Sequence, residues 1–229
     1  MKYLLPFIVL LIYTENIKAQ HSLGIQYRAS YEDKKLTLNH VYAYFDTSTI
    51  VFSKLRFYIS NIQCKQKGAV VFSESNSYHL LDLSDEKSFF ISIPNLFKLS
   101  FDEIQFDIGI DSTTNSSGAL GGDLDPIHGM YWTWQNGYIN LKLEGSCPQA
   151  ASPTHVFEFH LGGYQSPYNS LQTIHLIVEK PHEPFYINFA LNAWVKQIDF
   201  QKTHHVMSPS ATSVFLSQLL QNCFSLKYK

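Results

Sequence analysis

The chain has 229 residues and a formal net charge of −2, with 17 Lys and Arg against 19 Asp and Glu. It contains no basic cluster and no nucleic-acid-binding motif, which excludes a polyanionic partner. Aromatic residues make up 15% of the chain, and because aromatic side chains favour pleated, half-buried surfaces, this composition indicates a β-rich protein.

The first twenty residues have the features of a secretory signal peptide. Lys2 precedes an apolar run over residues 4–12, and a small-residue exit, Lys18-Ala19-Gln20, follows. The run is about half of the ~20 residues that a membrane-spanning helix needs, and no cysteine stands at the exit to carry a lipid. The sequence therefore predicts a leader over residues 1–20 and a mature protein, periplasmic or secreted, that has no membrane span.

The mature chain, residues 21–229, shows the alternation of apolar and polar residues that is typical of strands. Residues 103–110 are the clearest example. The predicted strands are 23–29, 39–46, 54–63, 69–73, 78–83, 88–93, 103–110, 137–144, 155–161, 172–179 and 185–191, with 193–200 as a further candidate. Many short strands separated by turns predict a single all-β domain, an antiparallel Greek-key-like β-sandwich with long loops and a short C-terminal helix over residues 212–224.

The chain contains three cysteines, Cys64, Cys147 and Cys223. In an oxidising compartment at most one internal disulfide can form among them, and the sequence does not fix the pair. Positions near the ends of predicted elements mildly favour Cys147 with Cys223. No CxxC motif occurs, so a zinc ribbon, a thioredoxin-like site and covalent haem are unsupported.

The most unusual stretch is GGDLDPIHGMYWTWQNGYINLKLEG, residues 121–145, which we call the signature segment. Its glycines and Asp125-Pro126 predict a constrained loop that leads into a strand. Asp123 and Asp125 offer oxygen ligands for calcium, although a turn or cap explains them equally well. Trp132 and Trp134 lie on one face if the segment is extended, which makes them either a core layer or a stacking surface for a ligand.

Ten histidines in a chain with 16% charged residues point to a soft-metal site, since imidazole is the commonest protein metal ligand. His79 and His160 both lie in predicted strands. The adjacent His204 and His205 are expected to point to opposite sides of an extended segment, so they do not easily share one ion. His128 precedes Gly129 and is expected to fit a turn.

No catalytic motif was found: GxSxG, HExxH and a phosphate-binding loop are all missing, and no cysteine has a neighbouring base. The sequence therefore predicts that the protein is not an enzyme.

Several segments resemble the MbnP-like domain, a family of exported bacterial proteins that includes copper-binding members. They are the signature segment, LRFYISNI at 55–62, YHLLD at 78–82, FEFHLGG at 157–163 and, more weakly, HVMSP at 205–209. The resemblance implies a Cu(I) ion held by two histidines and a tryptophan oxidised to kynurenine.

Carried over to this chain, the two imidazoles implied by the resemblance are those of His79 and His160. Ser77 and Tyr78 precede the first histidine, so the kynurenine has no counterpart there. Trp132 or Trp134 would have to approach from the signature segment. Met130 or Met207 offers a thioether as a further soft ligand.

Two functions from different classes follow. The first is copper handling or scavenging, with Cu(I) held by His79 and His160. The second is a metal-free binding module that contacts a small molecule, glycan or protein through the Trp132/Trp134 loop.

Overall fold

The computed structural model describes residues 24–45, 47–93, 96, 99–181, 183 and 185–228, so the predicted leader lies outside the described residues. The described strands are β1 (Gly24–Tyr31), β2 (Lys34–Lys35), β3 (Val41–Tyr44), β4 (Ser48–Gln66), β5 (Ala69–Ser73), β6 (Tyr78–Asp82), β7 (Phe90–Ser92), β8 (Glu103–Ile108), β9 (Tyr131–Trp132), β10 (Gly137–Ser146), β11 (Val156–Gly162), β12 (Gln172–Ile177), β13 (Phe185–Ala190), β14 (His205–Val206) and β15 (Phe224–Tyr228). The α-helices are α1 (Ser112–Ser116), α2 (Leu191–Val195) and α3 (Ala211–Gln218), and 3₁₀ turns cover Glu86–Phe89, Gly122–Leu124, Pro126–His128 and Leu219–Asn222.

The strands form two sheets. The smaller has the order β15-β13-β1-β2, with β7 also paired to β1. The larger has the order β12-β8-β4-β10-β11-β14, with β3, β5 and β6 paired to β4 and β9 paired to β10. The predicted β-sandwich is confirmed. Two pairs, β1 with β13 and β11 with β14, are parallel, so the sheets are mixed rather than purely antiparallel.

Strand β4 organises the larger sheet because its two faces are both covered. Leu55, Phe57 and Ile59 are fully buried in the main core between the sheets. Successive side chains of a strand point to opposite faces, so Arg56 and Tyr58 project from the other side. There, Tyr58 belongs to a second apolar cluster.

This second cluster, which we call the outer cluster, lies between the larger sheet and residues 121–136, the part of the signature segment that precedes β10. Its members are Tyr58, Leu80, Ile110, Leu124, Met130, Trp132, Tyr138 and Ile139, each at most 8% exposed. Gly162 leaves room for it, since a Cβ atom there would lie 2.6 Å from the ring of Trp132. Residues 121–136 are therefore packed onto the sheet as an additional layer, while the rest of the signature segment forms β10 within the sheet.

The elements near the C-terminal end were predicted in part. Within the strand candidate 193–200, residues 193–195 belong to helix α2, whose Leu191, Trp194 and Val195 are buried at the spacing of one helix face. The predicted short C-terminal helix is confirmed as α3, which ends at Gln218 and continues as the 3₁₀ turn Leu219–Asn222. The chain then adds the unpredicted edge strand β15 beside β13.

The three cysteines are all buried free thiols, so the favoured pairing of Cys147 with Cys223 is not formed. None of the helices in the described part of the chain combines the length and apolar character needed to cross a membrane.

Candidate metal-binding pocket

His160 lies on the outer face of the larger sheet. It pairs directly with Lys142 on β10, and Lys142 pairs with Arg56 on β4. Directly opposed residues share a face, so His160 is on the same side as Arg56. Its Nε2 lies 2.9 Å from the Glu144 carboxylate, and the residue is only 7% exposed. Burial lowers the pKa of His160 below its usual value, although the hydrogen bond with Glu144 opposes this shift.

His79 lies on the opposite face. It pairs with Ile59, three residues after Arg56 on β4, and an odd offset along a strand reverses the face. Its Nε2 lies 2.9 Å from the carboxylate of Glu74. The structure therefore does not bring His79 and His160 together. Their side chains lie on opposite faces of the larger sheet, and each ring has its own glutamate partner, Glu74 for His79 and Glu144 for His160.

A different histidine shares a site with His79. A surface pocket of about 390 Å³ lies beside the free edge of β6 and is lined by His79, Asp82, Asp123 and His128, with Lys87 and Phe90 on its far wall. His128 ends the 3₁₀ turn Pro126–His128, and Gly129 follows it with φ 65°, as expected for a turn. The fold thus places two imidazole-bearing residues, distant in sequence, at one pocket.

Asp123 attaches the signature segment to the edge of β6. Its Oδ2 accepts a hydrogen bond of 2.9 Å from the backbone N–H of Leu80, the residue after His79. The hydroxyl of Tyr58 donates to the carbonyl of Asp123 at 3.0 Å. These bonds fix the loop against the strand that carries His79.

Two cations hold the end of the same loop, and we call them the cation clamp. Arg56 Nη1 donates to the carbonyl of His128 at 2.7 Å, and Lys142 Nζ donates to the carbonyl of Gly129. Arg56 also forms an ion pair with Asp82 at 2.7 Å, although its Nε–H is not aligned on that oxygen as a hydrogen bond. Arg56 therefore links the end of β6 to the backbone of His128.

The hydrogen bonds of both rings leave one nitrogen of each available. His79 Nε2 faces the Glu74 carboxylate, and His128 Nε2 lies 3.1 Å from the carbonyl of Gly122. Burial raises the pKa of Glu74, but hydrogen bonds from His79 and Ser77 outweigh that and leave it below its usual value. Since a carboxylate and a carbonyl only accept, we assign the proton of each neutral ring to Nε2 and the lone pair to Nδ1.

This assignment matches the usual surroundings of a metal-binding histidine, whose other ring nitrogen donates to a carboxylate or a backbone carbonyl. Within the described ranges, no group of three or more His, Cys, Asp or Glu side chains is arranged to hold a metal ion. In the part of the chain that the structure describes, two imidazole-bearing residues therefore share the pocket without a third histidine, cysteine or carboxylate arranged with them to hold an ion.

The two loop aspartates have structural tasks. Besides the bond from Asp123 to Leu80, Asp125 Oδ1 accepts from the N–H of Ile127 at 2.9 Å and caps the 3₁₀ turn. These bonds agree with the turn-and-cap interpretation. Calcium binding by the pair stays a prediction.

The tryptophans are not part of the pocket lining. Trp132 is 6% exposed within the outer cluster, whereas Trp134 is 64% exposed at the tip of the β9–β10 hairpin, with the two ring centroids 5.8 Å apart. Met130 is fully buried in the outer cluster. His205 Nδ1 lies 3.3 Å from Glu158, on the far edge of the larger sheet.

The sequence predicted only a turn at His128 and did not predict that this residue lines a pocket with His79. It lies within the most specific motif of the chain, and the turn around it is as predicted. Its nearness to His79 depends on how the signature segment folds back over β4, which no local pattern reports.

Comparison with known proteins gave two findings. The sequence profile of the MbnP family matches residues 20–209. The structure is similar to that of MbnP from Methylosinus trichosporium, with a TM-score of 0.63 and 12% sequence identity over 90% of this chain and 97% of that one. No curated protein matches the sequence.

Proposed function

Because the chain belongs to the MbnP family, we propose that it is an exported protein that binds copper as its cargo, with His79 and His128 as ligands. The observation that carries the proposal is that these two residues line one pocket at the edge of β6. Two neutral imidazoles bind Cu(I) in a near-linear arrangement without a third protein ligand. Each ring is oriented by an acceptor on its Nε2, which leaves Nδ1 to the ion.

The remaining residues of the site act on the two ligands rather than on the ion. Glu74 fixes the tautomer of His79, and the carbonyl of Gly122 does the same for His128. Asp123 and the cation clamp hold the two backbones at a set separation. The role of the fold is therefore to bring together, in advance, two ligands that lie far apart in the sequence.

The experiment measures Cu(I) bound per chain after desalting, with bicinchoninate as competitor. We expect the wild-type protein to retain copper and the variants His79→Ala and His128→Ala each to lose it. His160→Ala is the matched control: it removes an imidazole of the same sheet from outside the pocket, and it should retain copper. Circular dichroism shows whether each variant is folded.

The result distinguishes the two pairs of ligands. Loss of copper in His160→Ala, with retention in His128→Ala, would contradict the pocket and return the site to His79 and His160. Equal copper content in all four proteins would show that none of these imidazoles binds the ion.

The exposure of Trp134 supports a second candidate, a metal-free binding module. A large aromatic side chain that is 64% exposed on a hairpin tip offers a stacking surface for a glycan or a protein partner. A module of this kind would not compete with bicinchoninate for copper. It should lose binding of its glycan or protein partner in Trp134→Ala and retain that binding in His79→Ala.

A further inference from the structure

A second pocket lies at the edge of the smaller sheet. Its volume is about 510 Å³, within the range of ordinary small-molecule sites, and its lining includes Tyr27, Arg28, Lys35, Glu86, Phe89 and Tyr186. It shares no lining residue with the pocket of His79.

The pocket exists because two strands share one edge of β1 and leave a gap between them. Strand β7 pairs with Gly24, Ile25 and Gln26, whereas β2 pairs with Ser30 and Tyr31. The amide of Gln26 closes part of the gap by donating to the carbonyls of Tyr27, at 2.8 Å, and Phe89, at 2.9 Å. The opening that remains is a cleft bounded by the backbones of β1, β2 and β7.

The charges around the gap favour an anion. Arg28 and Lys35 contribute two positive charges and Glu86 one negative charge, which leaves a net charge of +1 among the charged lining residues. Glu86 already pairs with Lys35. Among the described residues, Arg28 has no carboxylate partner; its guanidinium lies over the ring of Tyr186 at 5.8 Å.

A buried donor of the lining residues also lacks an acceptor. The Nε of Arg28 has no hydrogen-bond partner within the part of the chain described. A buried donor without an acceptor is costly, so an acceptor supplied by a ligand would be bound favourably. The rings of Phe89 and Tyr186 also line the pocket and provide apolar walls.

We propose that this edge pocket binds a small organic monoanion, a carboxylate with an apolar body, whose carboxylate pairs with Arg28. A guanidinium offers two parallel N–H donors to a carboxylate, and the Nε–H is one of them. The proposal is independent of copper, because the pocket contains no residue of the metal site.

The test uses the full mature protein, treated with chelator, and two probes, octanoate and 3-phenylpropionate, each compared with its uncharged amide by isothermal titration calorimetry. We expect the acids to bind about tenfold or more tightly than the amides, since the charge-assisted bonds are lost in the amides. We expect Arg28→Met to weaken binding of the acids by a similar factor.

Lys34→Met is the matched control, because Lys34 neighbours Lys35 on β2 but does not line the pocket. It should bind as the wild type does. The Nε–H resonance of Arg28 in ¹⁵N spectra gives a second readout, and it should shift on addition of either acid. If Arg28→Met proves unfolded, acid binding by Lys35→Met and the shift of the Arg28 resonance still test whether the acids bind in this pocket.

Three outcomes would overturn the proposal: no binding of either acid at millimolar concentration, equal binding of acids and amides, or an Arg28 resonance that does not move. Copper binding is unaffected in all three, so failure here is separate from failure of the metal site.

Discussion

Replacing Arg56 with methionine should release the end of the signature segment and weaken copper binding without touching the pocket itself. Methionine keeps most of the apolar stem that packs beneath the loop and removes the guanidinium. Two interactions are lost: the 2.7 Å hydrogen bond to the carbonyl of His128 and the 2.7 Å ion pair with Asp82.

The magnitude follows from these two contacts. A hydrogen bond from a charged group contributes about 1.5–3 kcal/mol to the free energy of unfolding. The ion pair adds at most about 1 kcal/mol, since the side chains of Arg56 and Asp82 are 26% and 18% exposed and solvent screens them in part. The variant should therefore lose about 2–4 kcal/mol, which lowers Tm by roughly 4–16 °C for a protein of this size.

Lys54→Met is the charge-matched control on the same face of β4. Lys54 pairs with Glu144 on strand β10 at 2.8 Å, not with the loop that carries His128, and its side chain is 37% exposed, so its loss should cost about 0.2–1 kcal/mol. Differential scanning calorimetry gives Tm, and competition with bicinchoninate gives the copper affinity. We expect an affinity weaker by about tenfold or more for Arg56→Met only, since each 1.4 kcal/mol of lost docking corresponds to about tenfold. Equal losses in both variants, or unchanged copper affinity in Arg56→Met, would refute the role of the cation clamp.

Two further predictions concern buried groups. Burial lowers the pKa of His160 below its usual 6.5, so protonation favours the unfolded chain and the free energy of unfolding should fall as the pH decreases below about 6.5. In urea unfolding between pH 7 and 5, His160→Gln should lose less of this free energy than the wild type. An equal loss in the two proteins would contradict this. Burial raises the pKa of Cys64 and Cys223 to about 12 and raises the pKa of Cys147 above its usual value. DTNB should therefore modify no thiol in the native protein and three thiols in guanidinium. A single reactive thiol after unfolding would instead reveal a disulfide.

The sequence predicted the strands well where one face of the strand is buried and the other is exposed to solvent. Residues 103–110 alternate because Ile104, Phe106 and Ile108 enter the core. It failed at residues 193–200, where Trp194 and Val195 belong to a buried face of helix α2 that begins at Leu191. Strand β15 was missed because its pairing with β13 is a long-range contact, invisible to any local window.

The pair His79 and His160 shows what a motif cannot report. Each residue lies in a segment that matches the family, but which face of the sheet each occupies depends on its register against β4. His79 is opposite Ile59, and His160 reaches Arg56 through Lys142. A shift of one residue in any of these pairings would reverse the result, so the faces that His79 and His160 occupy could be found only from the structure.

The two candidate functions use different residues of the signature segment, His128 and Trp134, and the outer cluster packed between them explains why one segment can carry both features. His128 ends the turn beside β6, while Trp134 projects from the hairpin that follows. Between them, Met130 and Trp132 are buried against the larger sheet. Interiors packed in this way deform little, so the cluster holds His128 in place without requiring anything of Trp134. The richness of the segment in aromatic residues and glycine is therefore explained by docking against the sheet, and the proposed copper ligand in it is the histidine beside β6.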